Sequence, residues 1–198
     1  MSNYWNNDAD PYLYEGSTTL KNLFDIKDTS KLEHLEKNLT EINSIEVNKF
    51  ILNKEINFNL WKAIHRILFK ELYTWAGEIR TVQLGKEGAM FAHPENILKQ
   101  GDKIFNQLAQ ENYLQGLKEK NLAKRLAYYF GELNALHPFR EGNGRTQKLL
   151  FSELVRRLGY KLSWKDLSGN DHVIAIKESF WGQNQKLEQA FERILLQQ

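Results

Sequence analysis

The chain has 198 residues, 41% of them hydrophobic and 12% aromatic, with 27 basic and 25 acidic side chains and a formal net charge of +2. This is the composition of one folded domain with a sizeable core, and it excludes a disordered or collagen-like chain. The absence of cysteine excludes disulfides, thiolate metal sites and a cysteine nucleophile, and the near-balanced charge gives no case for nucleic-acid or membrane-surface binding.

The opening MSNYWNNDAD is polar and acidic, unlike a secretory signal, and no window approaches the roughly 18 apolar residues of a membrane span. A soluble, cytoplasmic protein is expected. Residues 1–16 read as irregular, with DPYLYEGS as turn chemistry, inside an N-terminal arm reaching residue 30. Leu32, Leu35, Leu39 and Ile42 then recur at helical spacing, which predicts a helix with that face buried, capped by Thr29 or Ser30 with Glu33 close behind. Leu60, Ile64, Leu68 and Leu72 repeat the pattern up to Gly77, a helix stop. Residues 79–92 alternate around Gly85 and Gly88 and predict a β-hairpin, the one strand signal in the chain. Helices are expected over 94–112, 121–137 and 145–160, and a final one over 179–198. The fold class is an all-α bundle with one inserted hairpin.

His137 to Arg145, HPFREGNGR, interrupts this pattern. A proline and two glycines are ordinary material for joining two helices, and a histidine at a helix end can simply meet the terminal carbonyls. The same residues also fit chemistry. The loop opens into a helix N-terminus, where free amides and the helix dipole favour anions, and glycines at 142 and 144 let a ligand approach the backbone. Arg145 and Lys148 add positive charge, Glu141 is a hard oxygen ligand suited to Mg²⁺, and His137 is suited to general base work. Phe139 is expected to turn inward and pin the loop. No GxxxxGK[ST], HExxH or strand-borne glycine fingerprint competes.

This stretch resembles the signature of the Fic family (filamentation induced by cyclic AMP), H-x-F-x-[D/E]-G-N-G-R-x-x-R, at every fixed position except the last. The segment LYTWAGEIRTVQLGKEG resembles the approach to the family's flap hairpin, and DPYLYEGSTTLKN resembles the start of bacterial Fic toxins. The resemblance implies a single Fic domain over 1–198, with the flap at 79–92 and the active-site loop and helix start at 137–148. It implies a protein adenylyltransferase that moves AMP from ATP to a protein hydroxyl with Mg²⁺. His137 would deprotonate the hydroxyl, Glu141 would hold Mg²⁺, and Gly142, Asn143 and Gly144 would form the anion hole. Arg145 would contact the outer phosphates, and the flap, including Lys86 and Gly88, would align the target segment. Lys148 stands where the family has arginine; it keeps the charge but loses the bidentate fork, so weaker γ-phosphate positioning is expected.

The family's inhibitory pattern, [S/T]-x-x-x-E-[G/N], is incomplete here. Thr29 and Glu33 are followed by His34, Thr74 and Glu78 by Ile79, and Gln183 stands where Ser179 would need a glutamate. The resemblance therefore implies restraint by a small antitoxin carrying that helix, as in a toxin–antitoxin pair, with Glu33 as the candidate for restraint within the chain. It also implies a type II topoisomerase subunit as target. Two other readings are a transferase using another phosphate-containing donor, and a Fic-fold binding module without catalysis. His65 reads as structural, His93 as a turn residue, and Trp5, Trp61, Trp75, Trp164 and Trp181 as core or interface anchors.

Overall fold

The apolar spacing places the helices, but polar contacts decide where they stop and which faces they bury. The computed structural model describes residues 10–86, 88–167 and 170–197; Trp5, the first nine residues of the expected arm and residue 87 of the expected flap lie outside them. Helices α1 (Thr29–Phe50), α2 (Phe58–Phe69), α3 (Pro94–Gln110), α4 (Glu119–Leu136), α5 (Asn143–Arg157), α6 (Asn170–Phe180) and α7 (Gln185–Ile194) form the bundle. Between α2 and α3 lies a hairpin of β1 (Gly85–Lys86) and β2 (Ala89–Met90), so the expected all-α class with one inserted hairpin describes the main architecture. α2 packs against α1 and α5, while α4 packs against α3, α6 and α7. Trp61, Phe69, Tyr129, Phe139, Phe151 and Phe191 fill the interior, and Phe130 meets Phe151 and Phe191 edge-on at 5.1 and 5.4 Å.

α1 buries a face rotated from the one its apolar spacing suggests, with Leu32 at its centre and Leu35 and Leu39 half-buried at its edge. Leu32, Glu36, Thr40, Asn43 and Val47 point inward, whereas Ile42 is 63% exposed. The polar members of that stripe are bonded: Thr40 Oγ1 donates to Glu36 O and Asn43 Nδ2 to Leu68 O. A burial pattern carried by paired polar groups is invisible to an apolar count. The cap is Asp28, which accepts from Lys31 N at 2.9 Å, and not Thr29 or Ser30.

α2 stops at Phe69 rather than near Gly77. The chain then turns twice, and Leu72 and Tyr73 are buried from those turns, not from a helix. The strand pairing is also shorter than 79–92, because Arg80 draws the approaching segment onto the bundle. The expected single helix over 179–198 is broken at Gly182 (φ +81°), and β4 (Leu195–Gln197) pairs antiparallel with β3 (Tyr160–Leu162). Two three-residue strands give too little alternation to register in the sequence. Trp61, Trp75 and Trp164 pack against or within the core as expected, but Trp181 is exposed.

Candidate active site

α4 ends at Leu136, with His137 as its cap, and Pro138 bars a further helical turn. His137 takes the left-handed conformation (φ 44°, ψ 62°) while its amide still bonds Leu133 O. Such a position is costly for a side-chain-bearing residue and needs external support. Arg80 supplies it. Its Nε donates to His137 O at 2.8 Å, its other guanidinium groups donate to Val82 O and Ala92 O, and its amide donates to Pro138 O at 2.9 Å. The imidazole stacks on Phe91 with centroids 3.8 Å apart and lies 3.2 Å, through Nδ1, from Asn134 O. A carbonyl can only accept, so Nδ1 carries the proton and Nε2 is the basic atom.

Burial first, and the nearby Arg80 second, push the His137 pKa down to about 3. Burial does the same to His65, also to about 3. Both rings are therefore neutral when folded, whereas in the unfolded chain they take up protons near pH 6.5. The folded state binds fewer protons between those values, so stability held above pH 6.5 is lost as pH falls. The urea midpoint is expected to fall between pH 7 and 5, a range above the window in which the depressed carboxylates Glu111 and Glu153 contribute. A flat midpoint over that range would contradict neutral buried histidines.

The loop is held from below. Phe139 is fully buried, stacked on His65 at 4.0 Å and edge-on to Trp61 at 5.5 Å, as the inward anchor expected of it. His65 Nδ1 accepts from Gly77 N at 2.8 Å, so its Nε2–H donates to Glu141 O at 3.0 Å. Asn143 spends its side chain on the loop itself, accepting from Phe139 N at 2.9 Å and donating to Phe139 O at 2.8 Å. The two glycines differ. Gly142 has φ +80° and its Cβ direction runs into the Phe69 ring, while nothing lies within 4 Å of a Cβ on Gly144. Gly142 thus serves conformation and packing, and Gly144 leaves the open approach. α5 starts at Asn143 with no side-chain cap, leaving the amides of Asn143, Gly144 and Arg145 without intrahelical partners.

Charged groups surround this helix start. Glu141 is buried, and its Oε1 accepts from Gly142 N at 2.9 Å and lies 3.7 Å from Arg145 Nη2. The Arg145 guanidinium sits 4.9 Å over the Phe69 ring and is bonded at 2.5 Å to Glu36 of α1. Glu33 is exposed, one turn earlier on the same helix. Lys148 is half-buried, which lowers its pKa, with its ammonium 5.6 Å from the centre of the Trp164 ring. Arg140 makes a buried pair with Asp10 at 2.8 Å, so the N-terminal segment straps the loop.

The flap pairs Gly85 with Met90 and Lys86 with Ala89, with Gly88 (φ +84°) in the turn and Lys86 exposed. Gln83 Nε2 donates to Phe91 O at 2.9 Å and Ala92 N to Ala135 O at 3.0 Å, fixing the hairpin base against α4. His93, expected in a turn, is instead the extended residue that opens α3; its side chain caps no amide and lies 3.7 Å from Glu95. Sequence reasoning passed over Arg80, Glu36 and Asp10. An arginine in an apolar alternating stretch was a signal for Arg80, and the polar stripe Glu36–Thr40–Asn43 at four- and three-residue spacing was one for Glu36; Asp10 left none.

The Fic/DOC family profile matches residues 55–155, which span α2 to α5 with the flap and the loop. The chain is 37% identical to the protein adenylyltransferase VbhT of Bartonella schoenbuchensis over 94% of its own length, though it spans only 39% of that protein. It is 30% identical to the probable protein adenylyltransferase Fic of Escherichia coli, with 98% of this chain and 96% of that one covered. Its fold resembles the crystal structure of BepC from Bartonella tribocorum with bound AMPPNP, at a TM-score of 0.86 and 28% identity, covering 94% of this chain and 97% of that one. With the family profile spanning half of the chain and relatives of 30% identity or more covering nearly all of it, the chain belongs to the Fic/DOC family.

Proposed function

We propose that the protein transfers AMP from ATP to a hydroxyl side chain of another protein, releasing pyrophosphate. The observation that carries this reading is the 3.2 Å contact of His137 Nδ1 with Asn134 O, which puts the ring proton on Nδ1 and makes Nε2 the basic atom, in the loop that leads into the uncapped start of α5. Nε2 takes the proton of the target hydroxyl while the hydroxyl oxygen attacks the α-phosphorus. The bond from that phosphorus to the bridging oxygen breaks, and pyrophosphate leaves with the electron pair. The amides at the start of α5 hold phosphate oxygens, with Gly144 giving the close approach. Arg145 and Lys148 bind the outer phosphates. Lys86 and Gly88 sit on the hairpin whose backbone aligns the target as an added strand. The adenylyltransferase names of the relatives and the AMPPNP in BepC support the same reading.

Among the described residues no three acidic or histidine side chains gather into a metal cage. A lone carboxylate, Glu141, beside a phosphate site is the donor set Mg²⁺ uses, since that ion keeps waters and substrate phosphates as its other ligands. Bound there, Mg²⁺ would neutralise charge on the α- and β-phosphates. The finer reading places the enzyme in the cytoplasm, with a type II topoisomerase subunit as target, restrained by an antitoxin helix that presents a glutamate. The incomplete inhibitory motif in this sequence supports the antitoxin, and the topoisomerase target rests on the resemblance to bacterial Fic toxins alone; no described helix is long and apolar enough to cross a membrane.

The test uses purified protein, Mg²⁺ and a bacterial lysate, with ATP labelled on the α-phosphate in one tube and the γ-phosphate in another. Protein labelled from the α-label alone is expected; labelling from γ alone would mean phosphotransfer. Lys148→Arg is expected to lower KM for ATP about three- to tenfold, since a guanidinium can pair two phosphate oxygens where an ammonium acts as a point charge. An unchanged KM would remove residue 148 from the phosphate site.

A further inference from the structure

Resting on the reading that Arg145 holds the outer phosphates, we propose that Glu36 is the positioning residue that sets the Arg145 guanidinium, with Tyr73 fixing the carboxylate. The two residues are 109 positions apart in sequence. Glu36 Oε1 accepts from Arg145 Nη2 at 2.5 Å, and Oε2 accepts from the Tyr73 hydroxyl, so both oxygens are committed. The Glu36 side chain is 5% exposed and that of Arg145 37% exposed. One end of the guanidinium is therefore anchored inside the protein while the rest faces outward from the first turn of α5. Its face rests on Phe69, the ring that also fills the space beside Gly142. Among the described residues, Nε and Nη1 of Arg145 take no hydrogen bond, which leaves them for a ligand.

A fold does not need a charge at the Glu36 position. Burying a carboxylate is costly, and an apolar pair of similar volume commonly serves stability as well or better. What the carboxylate gives is a fixed geometry. Arginine loses substantial rotamer freedom when it binds an anion, and an arginine already held by one end loses less at that moment. Tyr73 stays protonated, because burial and the adjacent Glu36 raise its pKa, so it remains a donor to the carboxylate.

Binding of AMPPNP and of AMP to the purified chain, by calorimetry, separates the outcomes. Glu36→Gln is expected to weaken AMPPNP about tenfold, the size of one charge-assisted contact, and to leave AMP, which lacks the outer phosphates, unchanged. The double variant Glu36→Gln/Arg145→Ala is expected to bind AMPPNP no more weakly than Arg145→Ala alone, because both changes remove one device. Tyr73→Phe keeps the carboxylate and is expected to give a smaller loss in the same direction; it carries the test if Glu36→Gln does not fold. Additive losses, tighter AMPPNP binding in Glu36→Gln, or equal losses for AMPPNP and AMP would overturn the positioning role. If Arg145→Ala itself leaves AMPPNP binding intact, the phosphate role of Arg145 falls and this inference with it.

Discussion

His137→Ala is expected to lower the rate of AMP transfer by about 10² to 10⁴ while leaving ATP affinity nearly unchanged, the effect of removing a general base that does not bind the nucleotide. The structural consequences set the controls. His137 occupies a left-handed position, carries the carbonyl bonded by Arg80, and stacks on Phe91. A shifted loop would also cost the alanine variant its activity. His137→Asn answers this, because asparagine accepts the left-handed conformation more readily than alanine but supplies no base. Both variants should show this loss; an asparagine variant with the parent's rate would reduce His137 to a backbone role. The same substitution tests the electrostatics. Two histidines depressed to about 3 contribute to the loss of stability below pH 6.5, and removing one should shrink that dependence.

The motif told more about the site than the periodicity told about the fold. His137, Glu141 and Arg145 lie in one stretch of chain, so a linear pattern suffices to find them, and the glycines announce the turn that presents them. The residues that hold them in place come from elsewhere: Arg80 from the flap approach, His65 from α2, Glu36 from α1, Asp10 from the N-terminal segment. Each acts through a pairing across the fold, and sequence spacing can hint that a polar residue such as Glu36 is buried but not which partner it meets. The same cause explains the polar part of the buried face of α1, where Glu36, Thr40 and Asn43 lie inside because their partners exist, not because they are apolar. Asn143 shows the converse. Its place in the motif marks it for the anion hole, yet its side chain closes the loop on Phe139, which leaves only its backbone amide at the start of α5. The flap and the two short strands of the C-terminal sheet were hard to bound because two or three residues are too few for alternation to build a signal.

Gly142→Ala and Gly144→Ala separate the packing of the loop from its chemistry. At Gly142 an added Cβ would lie 2.3 Å from Phe69 Cζ and 2.4 Å from Cε2, on a backbone at φ +80°. Phe69 has little room to move, since His65 packs on it at 4.6 Å and the Arg145 guanidinium lies over it at 4.9 Å. Left-handed strain and overpacking add, so a destabilisation of about 2–5 kcal/mol is expected, with the ATP site displaced along with the loop. At Gly144 the φ is ordinary for a helix and nothing stands within 4 Å of the new methyl group. There the fold should hold or gain about 0.5–1 kcal/mol, as alanine replaces glycine in a helix. Nucleotide binding should nevertheless weaken, because the methyl group would enter the space through which a phosphate reaches the amides of α5. Thermal melting and calorimetry with AMPPNP read the two effects apart. If Gly144→Ala bound AMPPNP as well as the parent, the open face of this helix start would not be where the phosphates lie, and the anion would have to be held by Arg145 and the loop without it.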